Sequence, residues 1–396
     1  MKKIYLFLLP ALFFLVDAKA QWNILNSGTL NNLYSIDFTT TTTGYAVGGS
    51  GTGGSVSKTL DGGVSWTTLT LGTPDCYGVA FPDLNIGYVV GFQGTIMKTT
   101  DAGTTWNPKV SGVFSTLWSV SFTDAFTGYA VGDGGIILNT TNGGDTWTVQ
   151  VSNTSWSLSS VFFTNYLNGY AVGANGTILR TTNSGSTWVN VYTGTTVILH
   201  CVSFPDWNNG YAVGNNGIFL KTTNAGVTWT LQTISTHDLY SVYFTDINTG
   251  YAGSRGGEII KTTDGGSTWT PQASGSLNDL NFILFNDYNT GFIVGDQGLI
   301  LKTTNGGTVS IDDARVVSSS LGIYPSPATS AVTIETRETP EPKMLTIYSS
   351  AGQLVFTNEL KTLATTLDIS AWPAGIYLVK VQTGKSIAWG KIVKDS

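Results

Sequence analysis

The sequence predicts an all-β protein: a seven-bladed β-propeller closed by its own amino-terminal strand, followed by a small Ig-like β-sandwich. Three observations carry this. A Gly-Tyr-Ala-Val-Gly phrase or a near relative occurs seven times, at Gly44, Gly87, Gly128, Gly169, Gly210, Gly250 and Gly291. The spacing of about 41 residues is that of a propeller repeat. A second phrase keeps step about 14 residues behind each, as in Thr99-Thr-Asp-Ala-Gly-Thr-Thr-Trp106 and Thr262-Thr-Asp-Gly-Gly-Ser-Thr-Trp269. Between the phrases, short β-branched and aromatic runs end at Gly, Asn, Asp or Thr clusters, which is strand patterning rather than helix patterning.

The elements follow in chain order. Met1-Lys-Lys, the apolar run from Ile4 to Val16 and Ala18-Lys-Ala20 read as a signal peptide over 1–20, cleaved before Gln21. Residues 21–308 make the propeller. The third unit shows the pattern: Leu117 to Phe122 as the inner strand, then Gly128 to Gly132, Ile136 to Thr140 and Trp147 to Val151. Six units end in a turn Trp (Trp66, Trp106, Trp147, Trp188, Trp229 and Trp269), whereas the seventh, Thr303 to Thr308, stops before one. Trp22-Asn-Ile-Leu25 supplies the missing strand, so the amino terminus completes the last blade and leaves no open edge in the ring. Residues 309–320 read as a linker, and the alternating runs of 321–396, with turns about every ten residues, as the sandwich.

The second phrase resembles the Asp-box of sialidase-type propellers. Its acidic or amide position is filled by Asp61, Asp101, Asn142, Asn183, Asn224, Asp264 and Asn305. Because Asn serves as well as Asp, the position needs an acceptor for backbone N–H groups and not a charge, which is a structural role. Asp83, Asp124, Asp206, Asp246 and Asp287 each precede a Gly-Tyr phrase by four residues and are a repeat feature, not a catalytic set. Lys58, Lys98, Arg180, Lys221, Lys261 and Lys302 share one column just before the Asp-box, with Asn139 the exception. They are expected to form a cationic ring with buried stems and solvated heads.

A specific function should sit where the repeat breaks. The second residue of each inner strand varies: Tyr34, Tyr77, Trp118, Ser159, His200, Tyr240 and Asn281. In a closed ring these converge at one mouth of the central channel, where the rings could hold a glycan or a protein loop, or simply plug the opening. Nearby loops add Phe114, Trp156, Tyr192, His237, Arg255 and Glu258. Arg255 and Glu258 stand out because charged residues are only 11% of the chain. The ligand-binding candidates are therefore Tyr34, Tyr77, Trp118, His200, Tyr240, Arg255 and Glu258.

Several classes are disfavoured. A sialidase clamps the substrate carboxylate with three arginines, and the ring has only Arg180 and Arg255. A glycosidase needs two facing carboxylates, for which Glu258 with Asp133 or Asp296 is the one available pairing. Zinc and calcium signatures are absent, and no metal or cofactor is expected. A net charge of −6 argues against a nucleic-acid partner. No stretch after the signal peptide is long enough to span a bilayer. Cys76 and Cys201 fall nearly opposite each other in the ring, beyond disulfide reach, and are expected to be free buried thiols.

Over about residues 22 to 310 the chain resembles the photosystem II assembly factor family, the Ycf48-like propellers, through Gly-Tyr-Ala-Val-Gly followed by Ile-x-Lys/Arg-Thr-Thr-Asp/Asn-x-Gly-x-Thr-Trp. That resemblance implies a non-enzymatic binding scaffold. The tail resembles the type A C-terminal sorting domain of type IX secretion, through Tyr324-Pro-Ser-Pro-Ala, Ser350-Ala-Gly-Gln, Pro373-Ala-Gly-Ile-Tyr377 and Lys391-Ile-Val-Lys394. It departs only where Ser326 replaces the family's Asn. This implies the type IX machinery as a partner, removal of the tail, and a working place outside the cell or on the outer-membrane surface. The resulting expectation is a binding or scaffold protein, with a polysaccharide hydrolase or lyase and a passive coat protein as alternatives.

Overall fold

The computed structural model describes residues 21–51, 53–307, 321–336, 343–349, 353–360, 362–383 and 386–395. The expected signal peptide and linker lie outside them. The chain divides into two compact units, Ala20–Thr308 and one containing Val309–Ser396.

The first unit is seven four-stranded antiparallel sheets. Blade 1 is Asn32–Phe38, Gly44–Gly49, Gly54–Thr59 and Thr67–Thr70, in that order from the axis outward. The second strand is wholly buried in every blade, as Gly128–Gly132 shows, because it is covered by a neighbouring blade on each face. Blade 7 consists of Leu280–Phe285, Gly291–Gly295 and Ile300–Thr303, and its outer strand is Asn23–Leu25 from the amino terminus. The registers Asn23↔Lys302 and Leu25↔Ile300 close the ring by hydrogen bonding. Trp22 is fully buried, edge-on to Tyr251 and Phe285, and its Nε1 donates to Gln272 Oε1 at 3.0 Å.

The Asp-box builds one turn and one inter-blade joint. In blade 1 the Asp61 carboxylate accepts the Ser65 N–H at 2.9 Å and hydroxyl at 2.6 Å, while Thr59 Oγ1 accepts the Gly63 N–H. These bonds hold the Asp61 carboxyl down at about 2. In blade 2 the turn Gly103 has φ 76°, and a Cβ there would stand 2.8 Å from the Tyr45 ring of blade 1. Gly therefore serves twice, for the left-handed backbone and for the close approach of the preceding blade. The Tyr45 hydroxyl donates to Ala102 O at 2.9 Å, and Lys58 Nζ donates to the same carbonyl at 2.6 Å from 5.5 Å above the Tyr45 ring.

This joint corrects the expected solvated cationic ring. Lys98 donates to Gly143 O, Arg180 Nε to Ala225 O, Lys221 to Gly265 O, Lys261 to Gly306 O, and Lys302 to Gly62 O across the closure. Each cation reaches forward to the turn of the next blade, and in four of the six joints it shares its carbonyl with a Tyr hydroxyl from its own blade. Asn139 is too short for this and bonds within its own blade, to Gly128 O and Thr140 O. The Asp83-type residues form local turns, Asp83 Oδ1 accepting from Asn85 and Ile86. Cys76 and Cys201 are free and buried.

The second unit has a sheet of Gly322–Tyr324, Ala331–Glu335 and Ala364–Asp368 and a sheet of Leu354–Leu360, Lys343–Ser349, Gly375–Thr383 and Ser386–Lys394. Val332, Ile334, Leu345, Ile347, Val379 and Ile392 meet in its core.

Candidate functional site

Every inner strand carries a β-bulge at the same place. Register slips between Leu33 and Ser35, Cys76 and Gly78, Leu117 and Ser119, and at the matching pairs of the other four blades. The extra residue in each is the variable one: Tyr34, Tyr77, Trp118, Ser159, His200, Tyr240 and Asn281. A bulged residue leaves the ladder and its side chain is re-aimed. The seven thus share one end of the ring, beside the turns that join second and third strands.

The bulged aromatics form two groups. Tyr34 and Tyr77 lie 5.0 Å apart between centroids and Tyr77 and Trp118 4.4 Å, a continuous arc over three blades. Trp118 Nε1 donates to Asp133 Oδ1 at 2.8 Å, and Asn32 Nδ2 to the Tyr34 hydroxyl. On blades 5 and 6, His200 and Tyr240 meet edge-to-face at 5.3 Å. His200 Nε2–H donates to Asn215 Oδ1 at 2.6 Å, and burial holds its pKa below the usual imidazole value, so the ring is neutral near pH 7. Burial also pushes the Tyr77 phenol up to about 12, with Asp75 adding to the shift, and raises Tyr34 and Tyr240. The arc is an uncharged, half-buried surface, with Trp118 36% exposed. Asn281 Nδ2 bonds Leu33 O and Asp296 Oδ1, closing the ring between blades 7 and 1. On the loops that lead into the inner strands, Leu30, Phe114 and Leu277 are 87%, 93% and 88% exposed.

The charged candidates are placed differently. Arg255 is exposed on its turn and acts electrostatically on Tyr240. Glu258 Oε2 accepts from Ser235 at 2.6 Å and Ser254 at 3.2 Å and lies 3.3 Å from His237 Nδ1. The carboxylates suggested as its catalytic partners are engaged elsewhere, Asp133 with Trp118 and Asp296 with Asn281. No group of His, Cys, Asp and Glu among the described residues could hold a metal. Sequence reasoning put Tyr192 beside the mouth and Arg180 in the cationic ring. The structure brings both into one outer cleft of blade 4. The available signal was that both depart from their repeat columns in the same unit.

Four overlapping matches to the family profile of the photosynthesis system II assembly factor YCF48, at 65–154, 110–197, 148–237 and 186–273, together cover more than half of the chain. The chain belongs to the YCF48 family. Residues 322–395 match the secretion system C-terminal sorting domain, so this YCF48-family chain is exported through type IX secretion to the cell surface or beyond. Its propeller is similar to a YCF48 structure with a bound D1 peptide (20% identity, TM-score 0.62, 72% of this chain and 95% of that one). It is also similar to YCF48 from Cyanidioschyzon merolae (22%, TM-score 0.60, 71% and 98%). PorZ, a surface component of the type IX secretion system of Porphyromonas gingivalis, is similar over 92% of this chain and 60% of its own (13%, TM-score 0.55). At these identities the likeness is one of fold. No curated protein matches the chain. Among the described residues no helix is long and apolar enough to cross a membrane.

Proposed function

We propose that the protein is a non-enzymatic binding module working outside the cell, whose propeller grips an extended protein segment at the bulged mouth. The observation that carries this reading is the Tyr34–Tyr77–Trp118 arc, three contacting rings that present a rigid apolar surface with polar tips. Rigid aromatics of this kind anchor protein interfaces because little side-chain entropy is lost on binding. Leu30, Phe114 and Leu277, exposed on the loops that lead into the inner strands of blades 1, 3 and 7, offer further apolar contacts. A YCF48 structure has been determined with a peptide bound, which is consistent with this use of the scaffold. The reading includes processing: residues 1–20 and 321–396 are removed, and the mature secreted product ends before Leu321.

The test is retention of a displayed peptide library and a panel of polysaccharides by the full chain and by a Trp118→Ala, Tyr240→Ala double variant. Peptides should be retained by the wild type and released by the variant, with an unchanged melting temperature. Retention of polysaccharide alone would make the mouth a glycan site. Turnover of a polysaccharide that is lost in Glu258→Gln, with affinity kept, would make the protein a hydrolase or lyase.

A further inference from the structure

Two of the positions at which blade 4 departs from the repeat fall in one place. In the column before the Asp-box, five blades have Lys, one has Asn, and blade 4 has Arg180. Four residues after the turn Trp, the other units have Asn26, Thr70, Val110, Val151, Thr233 and Ala273, whereas blade 4 has Tyr192. Both residues line a cleft of about 330 Å³ along the outer strand Val189–Val191, together with Thr182, Thr187, Asn190 and Val227 from the Asp-box turn of blade 5. That volume is at the lower end of the roughly 300–1,000 Å³ of small-molecule sites.

We propose that this cleft binds one acidic sugar, a uronate, next to a neutral sugar within a glycan chain. Arg180 donates Nε to Ala225 O at 2.7 Å, which repeats the joint that Lys makes elsewhere. A guanidinium retains further donors after that bond, and an ammonium fixed in the same way does not offer the same planar fork. Among the described residues no carboxylate lies within ion-pair distance of Arg180. Arg180 is the cleft's one charged side chain, so the complement is a single carboxylate and not a polyanion. Arg180 pairs with Val189 across the sheet, and Tyr192 follows three residues further along, one past the strand's last residue Val191, where strand alternation no longer sets which face a side chain takes. At about 3.3 Å per residue the two are about 10 Å apart, the reach of two linked pyranoses. The Tyr192 ring, 89% exposed, offers a flat face to the second sugar, and Thr182, Thr187 and Asn190 offer partners to hydroxyl groups. An acidic peptide would use the Arg but leave this row of hydroxyl and amide groups without purpose. The site lies along the outer strand of blade 4 beside the Asp-box turn of blade 5 and does not depend on the reading of the mouth.

The experiment titrates the full chain with cellobiouronic acid, a glucuronate linked to glucose, and with cellobiose, which lacks only the carboxylate. The acid should bind at least about tenfold more tightly than cellobiose, as expected for loss of a charge-assisted pair. Arg180→Lys should remove that preference while the melting temperature stays unchanged, because Lys makes the same joint in five other blades. Tyr192→Ala, at an exposed position, should weaken both sugars by a similar factor. The proposal is overturned by absence of binding at millimolar acid, by full binding in Arg180→Lys, or by an acidic tetrapeptide that competes as well as the sugar.

Discussion

Replacing Trp22 with Ala tests the closure of the ring. Trp22 is fully buried, packed edge-on against Tyr251 at 6.3 Å and Phe285 at 5.8 Å, and bonded to Gln272. Removal of such a side chain costs about 3–5 kcal/mol through lost burial and the cavity left behind. Loss of the indole hydrogen bond adds about 1 kcal/mol. The sum, roughly 4–6 kcal/mol, is comparable to the whole stability of many domains. It also falls on a strand held by only three register pairs, Asn23↔Lys302, Ile24↔Leu301 and Leu25↔Ile300. The assay is urea unfolding followed by fluorescence, with amide exchange at Leu301 as a local probe. Trp22→Phe should keep most of the packing and lose about 1 kcal/mol with the hydrogen bond. A Trp22→Ala loss below about 1 kcal/mol, with Leu301 still protected, would refute the argument that this latch holds blade 7 to the ring.

Lys98→Met keeps the stem but loses the bond to Gly143 O, the position 5.7 Å above the Tyr88 ring and the 3.6 Å ion pair with exposed Asp145, so urea unfolding should show a loss of about 1–3 kcal/mol, of which only the ion-pair share is screened by salt. The carboxyls of Asp61, Asp101 and Asp264 are held down at about 2 by their turn hydrogen bonds. Their folded pKa lies below the unfolded one, so their contribution is complete above about pH 4 and declines as pH falls toward 2. Changing all three to Asn, as four blades already have, should flatten the thermal stability profile across that window. Burial pushes the Cys76 thiol up to about 12 and raises Cys201 as well, so a thiol reagent should label neither in the native protein and both in denaturant.

The architecture was legible because a repeat states each element seven times, and because the one unit without a turn Trp matched the one stray Trp at the amino terminus. The joints between blades were not. Lys58 and Tyr45 stand 13 positions apart in sequence, and their shared target, Ala102, belongs to the next repeat. Nothing within one unit shows that the two columns converge. The bulge was hidden for a related reason: its slip in register is a property of two paired strands, whereas the sequence shows only that the second inner position varies. In the tail, the limits of the strands Leu354–Leu360 and Ala364–Asp368 are not evident from the alternating runs of 321–396. Both runs alternate weakly, and pairing with Lys343–Ser349 and Ala331–Glu335 decides their limits. The outer cleft was not legible because Arg180 reads as a member of the cationic column and Tyr192 as one of the loop residues near the mouth.

The seven bulges separate two requirements that most β-sheets impose on the same residue. A side chain within the ladder must satisfy its strand neighbours, so changing it to suit a new ligand also alters the blade. The bulged residue is the one member of each inner strand relieved of pairing, and in this chain it is Tyr, Trp, Ser, His or Asn without any change in the flanking register. Apart from Asn281, which bonds Leu33 O across the closure, these positions vary on a frame whose register stays the same. Substitution at the others changes what this end of the ring presents while the same ladder pairs hold each blade.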